Sequence, residues 1–144
     1  IKNNELLSSL QNILIRLEND NESIDKLSVK DQNISQEELS SLIENYLKGN
    51  YNNDIVIGEL AVKFGFTNEY LAKTFKKFTG QTPLKYVTKL RINEAKKLLL
   101  SNPELEVKKV GEFVGYKDSF YFSKVFKRNT GFYPSEFRIK FIQK

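Results

Sequence analysis

A phrase written twice constrains this chain more than any other feature. Residues 75–83 read FKKFTGQTP and residues 126–134 read FKRNTGFYP, so Phe, Lys, a second base, Thr, Gly and Pro recur in step. The match extends upstream, from IVIGELAVKFGFTNEYLAKTFKKFTGQTP, starting at 55, to VKKVGEFVGYKDSFYFSKVFKRNTGFYP, starting at 107. Gly65 aligns with Gly115 at an offset of 50, whereas Lys73 pairs with Lys124, Phe75 with Phe126 and Gly80 with Gly131 at 51. The second copy thus carries one extra residue in its turn, between Gly115 and Asp118. Such self-similarity predicts two similar units instead of one larger core.

Each copy reads as helix, short turn, helix. Ile57, Leu60, Ala61 and Phe64 share one helical face, and Gly65 stands where the chain turns sharply. Thr67 is placed to cap the next helix, with Asp118 in the matching place of the second copy. Leu71, Phe75 and Phe78 are expected to pack inward, as are Phe122 and Phe126. Gly80 and Gly131 suit the left-handed conformation that ends a helix, and Pro83 and Pro134 suit the first turn of the next. Between the copies, LKYVTKLRINEAKKLLL (84–100) predicts a long joining helix, with Pro103 just past its end.

Before the repeat, Leu6, Leu10, Ile13 and Leu17 form one apolar stripe over residues 4–18, and residues 19–35 are polar and broken. An amphipathic helix followed by a linker is expected there. A further helix is predicted over about 36–48, with Glu37 and Glu38 in its first turn and Leu39, Leu42, Ile43, Tyr46 and Leu47 on one face, stopped by Gly49 and the asparagines after it. The expected fold is therefore all-α. Two helix–turn–helix subdomains, at about 36–82 and 104–142, flank a joining helix at 83–101, behind an N-terminal helix and linker at 1–35.

With neither cysteine nor histidine among its 144 residues, the chain lacks thiolates, disulfides, the usual general base and the commonest metal ligand. No enzyme activity, metal or cofactor is expected. No apolar run has the length of a membrane span, and no signal-peptide pattern is present. The chain starts at Ile1 and holds no methionine, so it is expected to be a piece of a longer protein. Charge is unevenly spread: residues 1–54 carry 5 Lys/Arg against 10 Asp/Glu, and residues 55–144 carry 18 against 8. A basic module behind an acidic leader fits a polyanionic partner such as nucleic acid. Composition alone leaves a simple solvated lysine surface open beside that reading.

The second helix of each copy narrows the choice. Opposite its apolar face, the first carries Glu69, Ala72, Lys73 and Lys76 at i, i+3, i+4 and i+7. The second carries Phe120, Ser123, Lys124 and Lys127 in the same register. Lysine donates to guanine, glutamate accepts from cytosine, and a phenylalanine edge meets a thymine methyl. Lys76, Lys77, Lys127 and Arg128 suit phosphates, which orient a protein without reading sequence. Two alternatives stay open: Phe120 packs against a neighbouring helix instead of facing bases, and Glu69 only favours its helix N-terminus.

VGYKDSFYFSKVFKRNTGFYPSEFR (114–138), with KLRINEAKKLL (89–99), resembles the DNA-binding domain of AraC/XylS-type transcription regulators, and the likeness runs over residues 39–140. YLKGNYNNDIVIGELAVKFGFTNEYLAKTFKKFTG resembles most the YesN-type response-regulator branch of two-component systems. The resemblance implies a bacterial, cytoplasmic, sequence-specific domain whose two recognition helices enter successive major grooves of double-stranded DNA. It places base contacts at Glu69, Ala72 and Lys73, and at Ser119, Phe120 and Lys124. It gives Arg91 a structural or phosphate role, and adds RNA polymerase and a second copy of the full-length protein as partners. Two positions depart from the family pattern: Gly111 replaces a small alanine, at about 1 kcal/mol of helix stability, and Tyr133 replaces a Ser or Thr. Two other readings compete: an AraC-type regulator with a ligand-binding or membrane-sensor domain upstream, and a non-enzymatic helical protein-interaction module.

Overall fold

Helix signals at both ends of each apolar stretch are carried into structure in the computed structural model, which describes residues 34–142. The expected amphipathic helix at 4–18 and most of its linker lie outside these residues. Among the described residues there are seven α-helices and no strand: α1 (Gln36–Asn50), α2 (Ile57–Phe64), α3 (Asn68–Thr79), α4 (Pro83–Ser101), α5 (Val107–Phe113), α6 (Ser119–Thr130) and α7 (Pro134–Phe141). They divide into two units. One takes residues 34–50 and 55–86, the other 51–54 and 87–142.

In the first unit, α1 buries Leu39, Leu42, Ile43 and Leu47. Ser35 Oγ accepts from the Glu38 N–H at 3.0 Å, which satisfies one of the free donors of the first turn. The helix runs through Gly49 and ends at Asn50, the first of the asparagines expected to stop it. No positive φ is found at Gly49, and its backbone simply continues the helix. Leu60, Ala61 and Phe64 of α2 are buried, and Gly65 ends that helix at φ 76°, a region costly for any side chain. The inward face of α3 is Leu71, Thr74 and Phe75. Phe78 is 43% exposed, against the expected inward packing, because the buried stripe closes one turn earlier. Phe75 instead meets Tyr86, edge to face at 5.2 Å, and the Tyr86 hydroxyl donates to Glu44 Oε2 at 2.6 Å. Burial, then the neighbouring Glu44 carboxylate, raises the Tyr86 phenol far above its usual range.

The second unit is built on rings. Tyr116, Phe122, Phe126, Phe137 and Phe141 follow one another at centroid separations of 5.6, 5.9, 5.4 and 4.7 Å. Ile92, Ala95 and Leu99 of α4 and Val110 of α5 complete its core. Gly111 proves to be a packing requirement, not a weak point. A Cβ there would lie 2.8 Å from Cδ2 and 3.0 Å from Cγ of the buried Phe122 ring, so the alanine usual in the family does not fit.

Arginines close the chain before each short helix of a helix–turn–helix. Arg91 Nε donates to the Tyr51 carbonyl at 2.6 Å and a terminal nitrogen to that of Asn53 at 2.9 Å. Arg138 likewise donates to Leu99 at 2.9 Å and Asn102 at 3.1 Å. These charge-assisted bonds satisfy carbonyls at and beyond the ends of α1 and α4.

Candidate nucleic-acid interface

The second helix of each helix–turn–helix begins at a side-chain cap and ends at a left-handed glycine. Thr67 Oγ1 accepts from the Tyr70 N–H at 3.1 Å, whereas Asp118 Oδ1 accepts from Phe120 at 2.9 Å and Tyr121 at 3.3 Å. Gly80 at φ 79° and Gly131 at φ 87° return their N–H groups to Lys76 and Lys127 carbonyls. Just before each glycine, the Thr79 and Thr130 hydroxyls donate to the Phe75 and Phe126 carbonyls, at 2.7 and 2.8 Å. Both helices are thus bounded alike, by a side-chain cap at one end and a left-handed glycine at the other, with the outer stripe between them.

On α3, Glu69, Lys73, Lys76 and Lys77 are exposed and Ala72 is half-buried. On α6, Phe120, Lys124, Lys127 and Arg128 are exposed, with Ser119 and Ser123 half-buried. Of the two places open to Phe120, the outer one is occupied: the ring is 80% exposed and does not pack against a neighbouring helix. An apolar ring held in water at the start of a basic helix is suited to a base edge or methyl group. Tyr121 beside it is 54% exposed and meets Tyr116 at 5.9 Å. Tyr121 lies off the predicted stripe, and its pairing with Tyr70 across the repeat is the one sequence signal that marks the position.

The charge along each helix is graded. The carboxylates, Glu69 on α3 and Asp118 at the cap of α6, sit at the N-terminal ends, and the bases gather in the last turns. A carboxylate against the positive end of the helix dipole offsets the charge that would draw a phosphate there, leaving phosphates to the C-terminal bases. Lys127 is placed by its surroundings, 4.7 Å over the Tyr133 ring and 3.4 Å from the Gly131 carbonyl. Arg91 belongs to α4 and to neither stripe. Its guanidinium holds the Tyr51 and Asn53 carbonyls and lies 4.9 Å over the Tyr116 ring, an arrangement that suits the structural alternative. A Cβ on Gly115, at φ 109°, would come within 3.0 Å of Arg91 Nε, so that glycine serves the turn and the arginine together. Among the described residues no three His, Cys, Asp or Glu side chains are grouped to hold a metal ion, and no helix is long and apolar enough to cross a membrane.

Comparison with known proteins agrees with this geometry. A family model described as a helix-turn-helix domain matches residues 60–140. The raffinose operon transcriptional regulatory protein RafR of Pediococcus pentosaceus is 38% identical over 105 residues, covering 73% of this chain and 38% of that protein. The C-terminal domain of AraT, a response regulator from Geobacillus stearothermophilus, superposes with a TM-score of 0.70 at 27% identity, covering 74% of this chain and 88% of that one. The C-terminal domain of the two-component response regulator yesN from Fusobacterium nucleatum gives a TM-score of 0.64 at 31% identity, covering 68% and 95%. The chain therefore belongs to the helix-turn-helix family of AraC-type DNA-binding domains of transcription regulators. It spans less than two thirds of the first curated regulators it matches, 38%, 56% and 39% of their lengths.

Proposed function

We propose that this chain is the DNA-reading output domain of a two-component response regulator, with residues 36–144 as its DNA-binding part. In this reading α3 and α6 enter successive major grooves on one face of the duplex. Glu69, Ala72 and Lys73 meet bases in one groove, and Ser119, Phe120 and Lys124 in the other. Lys76, Lys77, Lys127 and Arg128 meet phosphates, and Arg91 supports the fold. The observation that carries the proposal is the matched pair of capped helices, each presenting an exposed stripe that ends in bases. The likeness to the AraT and yesN output domains supports the response-regulator context. RNA polymerase and a second full-length copy are the partners such a regulator engages, in the bacterial cytoplasm. The proposal assigns the chain no catalytic step.

A second reading, in which the same domain follows a ligand-binding or membrane-sensor domain instead of a receiver, fits the likeness to the raffinose operon transcriptional regulatory protein equally. Both readings give the chain the same contact with DNA. Selection of sites from a random duplex library tests that contact directly. Two half-sites about one helical turn apart are expected. Lys73→Ala is expected to cost about 1–3 kcal/mol and relax preference in one half-site only, and Lys124→Ala to do the same in the other. Unchanged preference in both variants would show that the reading faces are misassigned.

A further inference from the structure

Gln36 is the first residue of α1 and lies outside the segment matched by the family model. Its side chain nevertheless reaches the reading helix twice. Gln36 Nε2 donates to the Tyr70 hydroxyl at 3.1 Å, and Lys77 Nζ donates to Gln36 Oε1 at 3.1 Å. Tyr70 and Lys77 are seven positions apart on α3, so one amide spans about two turns along one flank of the helix. Its polarity fits only one way round, since the ammonium needs the carbonyl oxygen and leaves the amide N–H groups to the phenol.

Both supports of this bridge are themselves held. Tyr70 stacks on Phe66 at 5.3 Å, and the Ser35 cap fixes the first turn of α1. A lysine has three N–H donors, so with one bonded to Gln36 and the ammonium 5.3 Å over the Phe78 ring, N–H remains for a phosphate oxygen. A long side chain ordered in advance also loses less rotamer freedom when it meets that oxygen. In the second unit the matching positions are Tyr121 and Arg128, and Tyr121 rests on Tyr116 instead.

We propose that Gln36 is a positioning residue for Lys77, holding its ammonium on the flank of α3 where it meets the DNA backbone. This rests on the phosphate role proposed above for Lys77. Because a phosphate contact does not depend on base sequence, binding of the whole chain to a mixed-sequence duplex over a range of salt concentrations is the test. Gln36→Ala is expected to weaken binding roughly threefold, the scale of one exposed charged contact. Lys77→Ala is expected to weaken it further and to lower the log–log salt slope by about 0.9. The double variant should bind no more weakly than Lys77→Ala alone. Gln36→Glu should pair with the lysine and lower the salt slope as well. Tyr70→Phe, which leaves the Lys77 bond in place, should bind within twofold of wild type by the same scale. Thermal unfolding of each variant separates these effects from loss of fold. Additive losses in the double variant, or unchanged binding by Gln36→Ala, would overturn the positioning role alone. Unchanged affinity and slope in Lys77→Ala would overturn the phosphate role first, and the positioning role with it.

Discussion

The two units solve one packing problem with opposite distributions of volume. Across the repeat, Ala61 of α2 corresponds to Gly111 of α5, and Leu71 of α3 to Phe122 of α6, and all four are buried. The first unit uses a methyl group and a leucine where the second uses no side chain and a phenylalanine ring. In the remainder, the first core sets leucines and Ile43 from α1 around Phe64 and Phe75, and the second has a longer, continuous series of aromatic rings. A scaffold can keep its helix angles while exchanging volume between facing positions, provided the sum is kept. The outer stripes are under no such constraint. They differ freely, with Glu69 and Ala72 against Phe120 and Ser123, and it is there that two readers of different bases can be made from one design.

The largest expected effect comes from Arg91, which belongs to the second unit and bonds two carbonyls there. Arg91→Ala should lower stability by about 2–3 kcal/mol through the loss of two charge-assisted bonds, measured by urea unfolding. Its salt slope on duplex DNA should stay at the wild-type value. A slope reduced by about 0.9 would instead give this arginine a phosphate. Gly111→Ala should cost about 1–3 kcal/mol by overpacking against Phe122, despite the better helix propensity of alanine. Adding Phe122→Leu, which copies the first unit's pairing, should recover part of that loss. Strictly additive destabilisation in thermal or urea unfolding would break the volume-exchange comparison.

A smaller effect is expected from Phe120→Ala, about 1 kcal/mol of affinity at the second half-site, with little change in unfolding because the ring is 80% exposed. A fall in unfolding stability of that size would mean that the ring packs in solution and does not read. Tyr86→Phe in the first unit should cost about 1 kcal/mol at neutral pH by removing the Glu44 bond. The Tyr86 phenol is raised in the folded state, so its contribution is fully present below the ordinary tyrosine range and lost as pH rises through the folded value. Wild type should therefore lose stability at alkaline pH more steeply than Tyr86→Phe. Parallel alkaline limbs in a pH series of unfolding curves would remove the assignment.

Much of this was legible along the chain. The left-handed glycines, the Thr67 and Asp118 caps and the proline starts were all readable because each depends on a few neighbouring residues. Phe78 was misread since periodicity assigns a face but not the width of the stripe that a neighbour covers. Gly111 was read as a defect because helix propensity is local, whereas the reason for it is a ring eleven residues further on. Gln36 went unnoticed because its partners, Tyr70 and Lys77, lie 34 and 41 residues away.

The sequence by itself determined an all-helical chain of two matched helix–turn–helix patterns, where each helix starts and most of where each stops, and a basic half behind an acidic leader. These follow from backbone preferences and from the period of apolar residues, which act over one or two turns. Tertiary structure decided what the side chains are for. It put Phe120 in water, gave Arg91 to two carbonyls, made Gly111 the space for a ring and brought Gln36 to a lysine on α3. Those outcomes depend on which atoms compete for the same volume or the same donor, and such competitors are far apart along the chain.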